Sequence, residues 1–308
     1  MAGPFFCLIK SFGFVDSGRA KFNGSFVMIS LQYQAAGEKL AGLVSSFYHF
    51  EYEGNALSEL ERADRAQFRF HLRGDGEYHF PNGETTATFP VTIIGPTTAP
   101  VTAVAHCPQT IVGWGMEPAG WAGLMGKDAE TWVDKAFDAS VIFGESAFAL
   151  RDHLIATSDM QQQFTIMKEM AAEIYVPMDR APFEFTAIVD QWLIDSQNHV
   201  LATLIEQSGL SQRQLERMTN RYYGLPPKKL ARKYRALQAA HILASGDSLD
   251  DSELSLAFYD QSHLVREVKQ FTGLTPTELR AGDAALTKAT MTGRKGMDGK
   301  VSKLISDS

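Results

Sequence analysis

Residues 211–230 read SQRQLERMTNRYYGLPPKKL, and residues 260–279 read DQSHLVREVKQFTGLTPTEL. The two stretches align at a constant offset of 49 residues and share leucines, glycines, prolines and one arginine. The matched pairs are Leu215 and Leu264, Arg217 and Arg266, Tyr222 and Phe271, Gly224 and Gly273, Leu225 and Leu274, Pro227 and Pro276, and Leu230 and Leu279. This repetition predicts two copies of one helix-turn-helix unit, and double-stranded DNA, with its repeating major groove, is a suitable periodic partner.

Capping residues mark the ends of the central helix in both copies. Ser211 followed three residues later by Gln214 predicts a capping box at the start of the first helix, and Gly224 predicts its end. The second copy carries the same signals in Asp260 and Gly273. The sequence therefore predicts two similar helices, joined by a long basic helix over roughly residues 228–244.

Each central helix has an apolar face, so its polar residues fall on the opposite, outward face. These outward residues are the candidates for DNA contact: Arg213, Glu216, Arg217 and Asn220 in the first copy, and Ser262, His263, Arg266 and Lys269 in the second. Arginine can hold guanine O6 and N7 with two hydrogen bonds in the major groove, which is ~12 Å wide. A single exposed arginine is usually a solvated charge. Its recurrence as Arg217 and Arg266 favours a shared function.

The string AFYDQSHLVREVKQFTGLTPTELR, residues 257–280, resembles the C-terminal signature of AraC/XylS-type transcription regulators. The residues that carry the resemblance are Phe258, Asp260, Ser262, His263, Arg266, Lys269, Gly273, Thr275, Pro276 and Arg280. The first copy resembles the other helix-turn-helix of that family through Leu201, Ala202, Ser211, Leu215, Arg217, Gly224, Pro227 and Arg235. Three positions depart from the family pattern, namely Ala257, Leu264 and Thr219. The resemblance covers about residues 181–280.

The resemblance implies a bipartite reader of DNA, in which both recognition helices of one chain enter successive major-groove segments ~34 Å apart. It implies a transcription regulator, with activation the more common role in the family, and RNA polymerase as a further partner. It also implies an N-terminal domain, often a cupin-like β-barrel, that senses a small-molecule effector or forms a homodimer. Because the two copies carry different outward residues, we expect an asymmetric DNA site.

The charge of the chain is distributed unevenly. The formal net charge is −7, but residues 1–196 contain 13 Lys and Arg against 24 Asp and Glu, whereas residues 211–245 contain eight against one. The second stretch therefore carries +7, and this local charge matters more to a phosphate backbone than the average does, because salt screens distant charges within about 10 Å. The same charge would also suit a solvated helix face.

The first half of the chain reads as mostly β. Phe68, Phe70 and Leu72 alternate with polar residues, which predicts a strand with one buried face. The sequence around Asn82 and Gly83 predicts a hairpin turn. We therefore expect an α+β protein with a β-rich cupin-like barrel or sandwich at residues 1–180 and an all-α DNA-binding domain at 181–280. Residues 281–308 lack a core pattern and are expected to be disordered.

Three residues of the first half are candidates for an apolar ligand site: Cys107, Trp114 and Trp121. Residues of these types are also common in ordinary cores, and that reading stays open. The histidines His71, His79 and His106 do not supply the spacing of a cupin metal site, so we expect no metal and no cofactor. Cys7 and Cys107 form no metal motif, which favours a reducing cytoplasm.

Two other classes of function compete with a DNA-binding regulator. One is an enzyme whose C-terminal helices serve another purpose; against it the chain has neither a Gly-rich phosphate loop nor a Gly-x-Ser-x-Gly elbow, although a catalytic triad is spatial and needs no short motif. A helical protein-interaction module would present apolar outward faces on both copies, whereas these faces are polar and basic. No segment is apolar enough to predict a membrane span. We therefore predict a cytoplasmic DNA-binding regulator and no enzyme.

Overall fold

The computed structural model describes residues 19–22, 25–54, 56–175, 181–195, 199–249, 253–282 and 284–308. Cys7 and the domain boundary expected near residue 180 lie outside these ranges.

Nine strands of the described part form one antiparallel sheet. The strands are β1 (Arg19–Phe22), β2 (Ser25–Ala35), β3 (Val44–Glu53), β4 (Ala56–Glu61), β5 (Gln67–His79), β6 (Thr85–Ala87), β7 (Val91–Ile94), β8 (Val101–Met116) and β9 (Ala136–Asp138). Their order is β1-β2-β3-β8-β5-β7-β9. The long strand β8 pairs with β4 along its first half and with β3 along its second half. The predicted hairpin is confirmed, since β5 pairs with β6 and Gly83 has a φ of 86° in the turn.

Helices cover the sheet and then form the rest of the chain. The helices of the first half are α1 (Pro118–Met125), α2 (Ser140–Phe143), α3 (Ser146–Ala156) and α4 (Met160–Ile174). Those of the second half are α5 (Ala181–Asp195), α6 (Leu201–Ser208), α7 (Gln212–Tyr223), α8 (Pro227–Ala244), α9 (Gln261–Thr272), α10 (Pro276–Ala281), α11 (Ala285–Lys295) and α12 (Lys303–Ser306). The predicted fold class, a β-rich unit followed by an all-α unit, is confirmed.

Strand β5 is buried on both of its faces, which corrects the expectation of a single buried face. Phe68 and Phe70 are fully buried, and Phe68 stacks on Trp114 with ring centroids 4.4 Å apart. Arg69 and His71, which point the other way as strand alternation requires, are only 9% and 3% exposed. The physical reason is that α3 and α4 cover one side of the sheet, while α11 packs against the other.

Each helix-turn-helix unit has its own apolar core. The core of the first unit contains Trp192, Leu204, Leu215, Tyr222 and Leu230. The core of the second contains Leu243, Leu254, Leu264, Val268 and Leu279. Helix α8 contributes to both cores and therefore fixes the separation of the two units.

The expectation that residues 281–308 are disordered is wrong for their described part. Leu286 of α11 packs against the sheet, Met291 joins the core of the second unit, and Leu304 of α12 joins the core of the first. These apolar residues lie five or more positions apart, so they produce no periodic pattern in a short window. Each one fills a different cluster, and that tertiary arrangement is invisible in the sequence.

Candidate nucleic-acid interface

Helices α7 and α9 occupy equivalent places in the two units and are capped as predicted. Ser211 and Gln214 form a capping box at the start of α7, and Gly224 ends the helix with a φ of 73°. The Asp260 side chain accepts a hydrogen bond from the His263 backbone at the start of α9, and Gly273 ends that helix with a φ of 79°. Caps of this kind satisfy backbone groups that a helix end leaves unpaired.

The N-terminal half of α7 presents two free cations. Arg213 and Arg217 are exposed, and neither forms an ion pair or a hydrogen bond with any residue that the structure describes. Glu216 is half-buried, and its carboxylate accepts a hydrogen bond from Gln212 Nε2 at 2.9 Å. Two exposed arginines one helical turn apart can approach one strand of a duplex together.

Three of the four predicted residues of α9 are exposed in the same way. Ser262, Arg266 and Lys269 all face solvent. His263 is instead half-buried, because its Nε2 lies 3.3 Å from Glu267 Oε1 and its Nδ1 lies 3.2 Å from the Tyr259 backbone nitrogen. The structure thus brings His263 into the packing of its own unit, whereas Arg266 forms no ion pair or hydrogen bond with the residues that the structure describes.

Glu267 anchors α9 to the long helix α8, a role that the outward-face analysis misses. Its carboxylate is 1% exposed and accepts hydrogen bonds from Arg232 Nε at 2.6 Å and Arg235 Nη2 at 2.7 Å. These two guanidinium groups hold the pKa of Glu267 below its ordinary value, against the effect of burial. A signal exists in the repeat, because the matching position of the first copy holds the apolar residue Met218. A carboxylate at an inward position of a basic domain predicts an internal ion pair.

Several of the cationic side chains that give residues 211–245 their charge of +7 contact other protein groups. Arg232 and Arg235 pair with Glu267, and Arg221 Nε lies 3.3 Å from Asp128 Oδ1. Lys233 is only 3% exposed and faces the first half of the chain. Within residues 211–245, the exposed cations without such a partner among the described residues are therefore Arg213 and Arg217 near the start of α7 and Lys228 at the start of α8.

An acidic segment of the first half lies against the C-terminal end of α7. Asn220 Nδ2 donates to Glu130 Oε1 at 3.3 Å, beside the Arg221 and Asp128 contact. A Cβ on Gly224 would lie 2.5 Å from a methyl group of Val133, so the two surfaces are close. Asn220, predicted to face DNA, therefore faces the protein in this structure.

A buried polar cluster joins the first half of the chain to α8. Arg65 forms an ion pair with Glu117, lies 3.7 Å from Asp190 and donates from Nε to the Tyr234 hydroxyl at 2.7 Å. Lys233 Nζ donates to the backbone carbonyl oxygens of Asp64 at 2.6 Å and Thr97 at 2.8 Å. Burial lowers the pKa of Lys233 to about 7, with Asp64 acting in the opposite direction.

Of the three residues predicted to bind a ligand, Trp114 and Trp121 are buried in the protein core. Trp114 is fully buried among Phe47, Phe68 and Phe70. Trp121 is 1% exposed, and its Nε1 donates to the Lys127 backbone oxygen at 3.0 Å. The side chain of Cys107 lies outside the described part of the structure.

A cavity of about 100 Å³ lies elsewhere, between the sheet and α11, and among the described residues neither tryptophan lines it. Arg69 lines this cavity, and its guanidinium pairs with both oxygens of Glu61 at 2.9 and 2.6 Å and donates to the hydroxyls of Tyr48 and Tyr78. Burial and the nearby Arg69 charge lower the pKa of His71 to about 3, so this imidazole is neutral at physiological pH. The sequence offers one signal for this site, since Arg69 and His71 alternate with the core phenylalanines.

Residues 204–282 match a protein-family model described as a helix-turn-helix domain. The match begins in α6 and ends just beyond α10, so it spans both units with their exposed arginines. The C-terminal part of this chain is an AraC-type helix-turn-helix domain. A domain of this type makes the chain a DNA-binding transcription regulator. No curated protein matches the sequence.

Several solved structures are similar to the chain as a whole. An apo variant of ToxT from Vibrio cholerae strain SCE256 has 8% sequence identity and a TM-score of 0.46, over 83% of this chain and 97% of that chain. ToxT from Vibrio cholerae O395 has 9% identity and a TM-score of 0.45, over 76% and 97%. The AraC-like transcriptional activator CuxR has 13% identity and a TM-score of 0.33, over 73% and 84%.

Two absences hold for the described residues. No group of three or more His, Cys, Asp or Glu side chains there could hold a metal ion. No helix of the described part is long and apolar enough to cross a membrane.

Proposed function

We propose that this AraC-type regulator reads two adjacent major-groove segments of one DNA duplex, with α7 in the first and α9 in the second. The observation that carries the proposal is the equivalence of Arg217 and Arg266. Both are exposed and unpaired among the described residues, and both occupy the same position of helices with matching caps. Shared core residues follow from a shared fold, whereas a shared exposed arginine does not improve packing.

The remaining contacts differ between the two helices. Arg213 and Glu216 accompany Arg217 on α7, while Ser262 and Lys269 accompany Arg266 on α9. We assign the arginines to bases and Ser262 and Lys269 to phosphates, which position the domain. His263 and Asn220 contact protein groups in this structure, so they would contact DNA only after those contacts open. The DNA site is then asymmetric.

The first half of the chain, up to about residue 180, is proposed to modulate this DNA binding. Support comes from its direct contact with α7 through Asp128 and Glu130 and with α8 through the carbonyl groups that Lys233 reaches. A change in the first half can therefore alter the position of the first recognition helix. Activation, contact with RNA polymerase and assembly of a homodimer rest on the family resemblance alone. No catalytic step is assigned to the chain.

The experiment measures binding of the full chain to the DNA upstream of its own gene, with Arg217→Ala and Arg266→Ala beside the native protein. Each variant is expected to lose ~1–3 kcal/mol of binding free energy and to relax sequence preference at one half of the site. The native affinity should fall steeply with salt, because phosphate contacts release counterions. Arg73→Ala, which removes an exposed arginine of β5 that pairs with Glu53, is the control and should bind normally. Equal binding by all four proteins would refute the assignment.

A further inference from the structure

The two most exposed large apolar side chains of the described part lie three positions apart, just before α9. Tyr259 is 94% exposed and Leu256 is 87% exposed, and both belong to the connection that leads from α8 into α9. The next most exposed, Val141, lies in the first half of the chain at 74%. The Tyr259 hydroxyl forms no hydrogen bond with a residue that the structure describes. Single exposed apolar residues are ordinary, but a tyrosine and a leucine together beside a proposed recognition helix indicate a surface that a partner covers.

Tyr259 is held in its outward position by its neighbours on both sides. Phe258 is buried in the core of the second unit, where its ring lies 5.8 Å from the His263 ring and 5.3 Å from the Arg235 guanidinium carbon. The Tyr259 backbone nitrogen donates to His263 Nδ1 at 3.2 Å, and Asp260 caps α9. The ring is therefore exposed on an anchored backbone, which has little freedom left to lose when a partner binds.

The first copy of the repeat fills the same two positions differently. At the offset of 49 residues, Tyr259 matches Leu210 and Leu256 matches Gln207. Leu210 is half-buried against the core of the first unit, and Gln207 is exposed but polar. In the second copy Phe258 supplies the inward apolar side chain, so the core requires neither Tyr259 nor Leu256. Packing within the unit gives no reason for these two residues, whereas a partner that only the second unit meets at this place does.

Continuity with the start of α9 favours DNA as that partner. Ser262 lies three positions after Tyr259 and is exposed, and the exposed Arg266 follows four positions later. A helix that enters the major groove with its N-terminal residues brings the residue just before it to the phosphates at the edge of the groove. Ser262 also stands where α7 has the exposed cation Arg213. The start of α9 has no such cation, so uncharged groups must hold this end of the helix on the duplex.

We propose that Tyr259 and Leu256 form an uncharged contact with the DNA backbone at the edge of the second half-site. The Tyr259 ring and the Leu256 side chain pack against deoxyribose, and the Tyr259 hydroxyl donates a hydrogen bond to a phosphate oxygen. The neighbouring Asp260 carboxylate is turned to the His263 backbone nitrogen at 2.7 Å, where the positive end of α9 offsets its charge. This contact rests on the proposed reading of DNA by α9, and it positions the helix without reading a base.

The test measures the affinity of the full chain for its site upstream of its own gene. Tyr259→Ala should lose about tenfold in affinity and Tyr259→Phe about threefold, because the second change removes only the hydroxyl. Leu256→Ala should lose about threefold through the apolar surface that it removes. Val141→Ala, which shortens another exposed apolar side chain in α2, is the control and should bind like the native chain. Circular dichroism reports whether each variant is folded.

Three signatures separate a backbone contact from other kinds of contact. The loss in Tyr259→Ala should be the same on the native site and on a site with base changes in its second half, whereas Arg266→Ala should narrow the difference between these sites. The salt dependence of affinity should keep its native slope in Tyr259→Ala, because an uncharged side chain releases no counterion, but should become shallower in Lys269→Ala. Ethylation of one phosphate beside the second half-site should weaken binding of the native chain and have no further effect on Tyr259→Phe.

Native affinity in folded Tyr259→Ala would overturn the proposal, and the exposed pair would then belong to a protein partner, either RNA polymerase or a second copy of the chain. A loss of affinity with a narrowed preference between the two sites would indicate a base contact and would overturn it as well. The proposed function fails separately, if the native chain binds no DNA or if Arg217→Ala and Arg266→Ala bind as the native chain does. Weakened binding by both arginine variants with normal binding by Tyr259→Ala refutes the backbone contact alone.

Discussion

Replacing Glu267 by glutamine should loosen α9 from α8. The native carboxylate is buried and receives hydrogen bonds from Arg235, whose side chain is 13% exposed, and Arg232, which is 45% exposed. Charged hydrogen bonds of the buried kind contribute ~1.5–3 kcal/mol each, whereas an exposed pair contributes ~0–1 kcal/mol. Because the glutamine oxygen can still accept one bond, we expect a loss of about 2–3 kcal/mol in the free energy of unfolding.

Urea unfolding followed by circular dichroism measures this loss, with Glu206→Gln on the exposed face of α6 as the control. The control should stay within ~0.5 kcal/mol of the native chain. The pKa of Glu267 is lowered in the folded state, so its contribution is complete above the unfolded value of 4.5 and is lost as the pH falls below it. The difference between Glu267→Gln and the native chain should therefore shrink at about pH 4. Equal stability of Glu267→Gln and Glu206→Gln at neutral pH would show that the hydrogen bonds from Arg232 and Arg235 to Glu267 do not stabilise the chain.

Three further predictions concern the contacts between the two halves of the chain. The pKa of Lys233 is about 7 in the folded chain against an ordinary value of 10.5. Between these pH values the unfolded chain therefore binds more protons than the folded one, so stability should rise with pH. Unfolding measured at several pH values should show this rise in the free energy of unfolding, and Lys233→Met should remove it. Gly224→Ala should destabilise the chain by more than ~1 kcal/mol, because φ is 73° and the new Cβ would lie 2.5 Å from Val133. The control Gly126→Ala, with φ 58° and nothing within 4 Å of the new Cβ, should lose less stability. Thermal unfolding compares the two variants, and equal losses of stability would contradict the close packing of Gly224 against Val133. Asp128→Asn should raise DNA affinity a few-fold in a binding titration, because it removes a carboxylate that pairs with Arg221 at 3.3 Å and would repel phosphate. An unchanged or lower affinity would show that the contact between Asp128 and Arg221 does not compete with DNA.

The parts of the fold that depend on local signals could be predicted from the sequence. The capping box at Ser211 and the glycines at 224 and 273 mark helix ends through backbone geometry, which acts within a few residues. The exposure of Arg217 and Arg266 follows from helical periodicity in the same way. The repeat then identifies the two units without any knowledge of their surroundings.

The parts that depend on contacts distant in sequence could not be predicted. Periodicity separates inward from outward positions, but it does not show that Asp128 and Glu130 approach α7 or that Lys233 is buried against Asp64. Trp114 and Trp121 are plausible pocket residues by type, yet they pack in the core. The cavity forms because α11 packs against the sheet, and each apolar residue of that segment serves a different cluster.

Reading of one duplex by both α7 and α9 fixes the spacing of the two DNA half-sites, which binding assays can measure. If α7 and α9 read successive major-groove segments of one duplex, their half-sites lie about one turn, ~10 base pairs, apart, at a distance that α8 fixes. Inserting about five base pairs between them moves one half-site to the opposite face of the duplex. Affinity should then fall to that of Arg266→Ala on the unaltered site, and Arg266→Ala should cause no further loss on the altered one. Full affinity for the altered site, with both arginines still required, would contradict bipartite reading by a single chain.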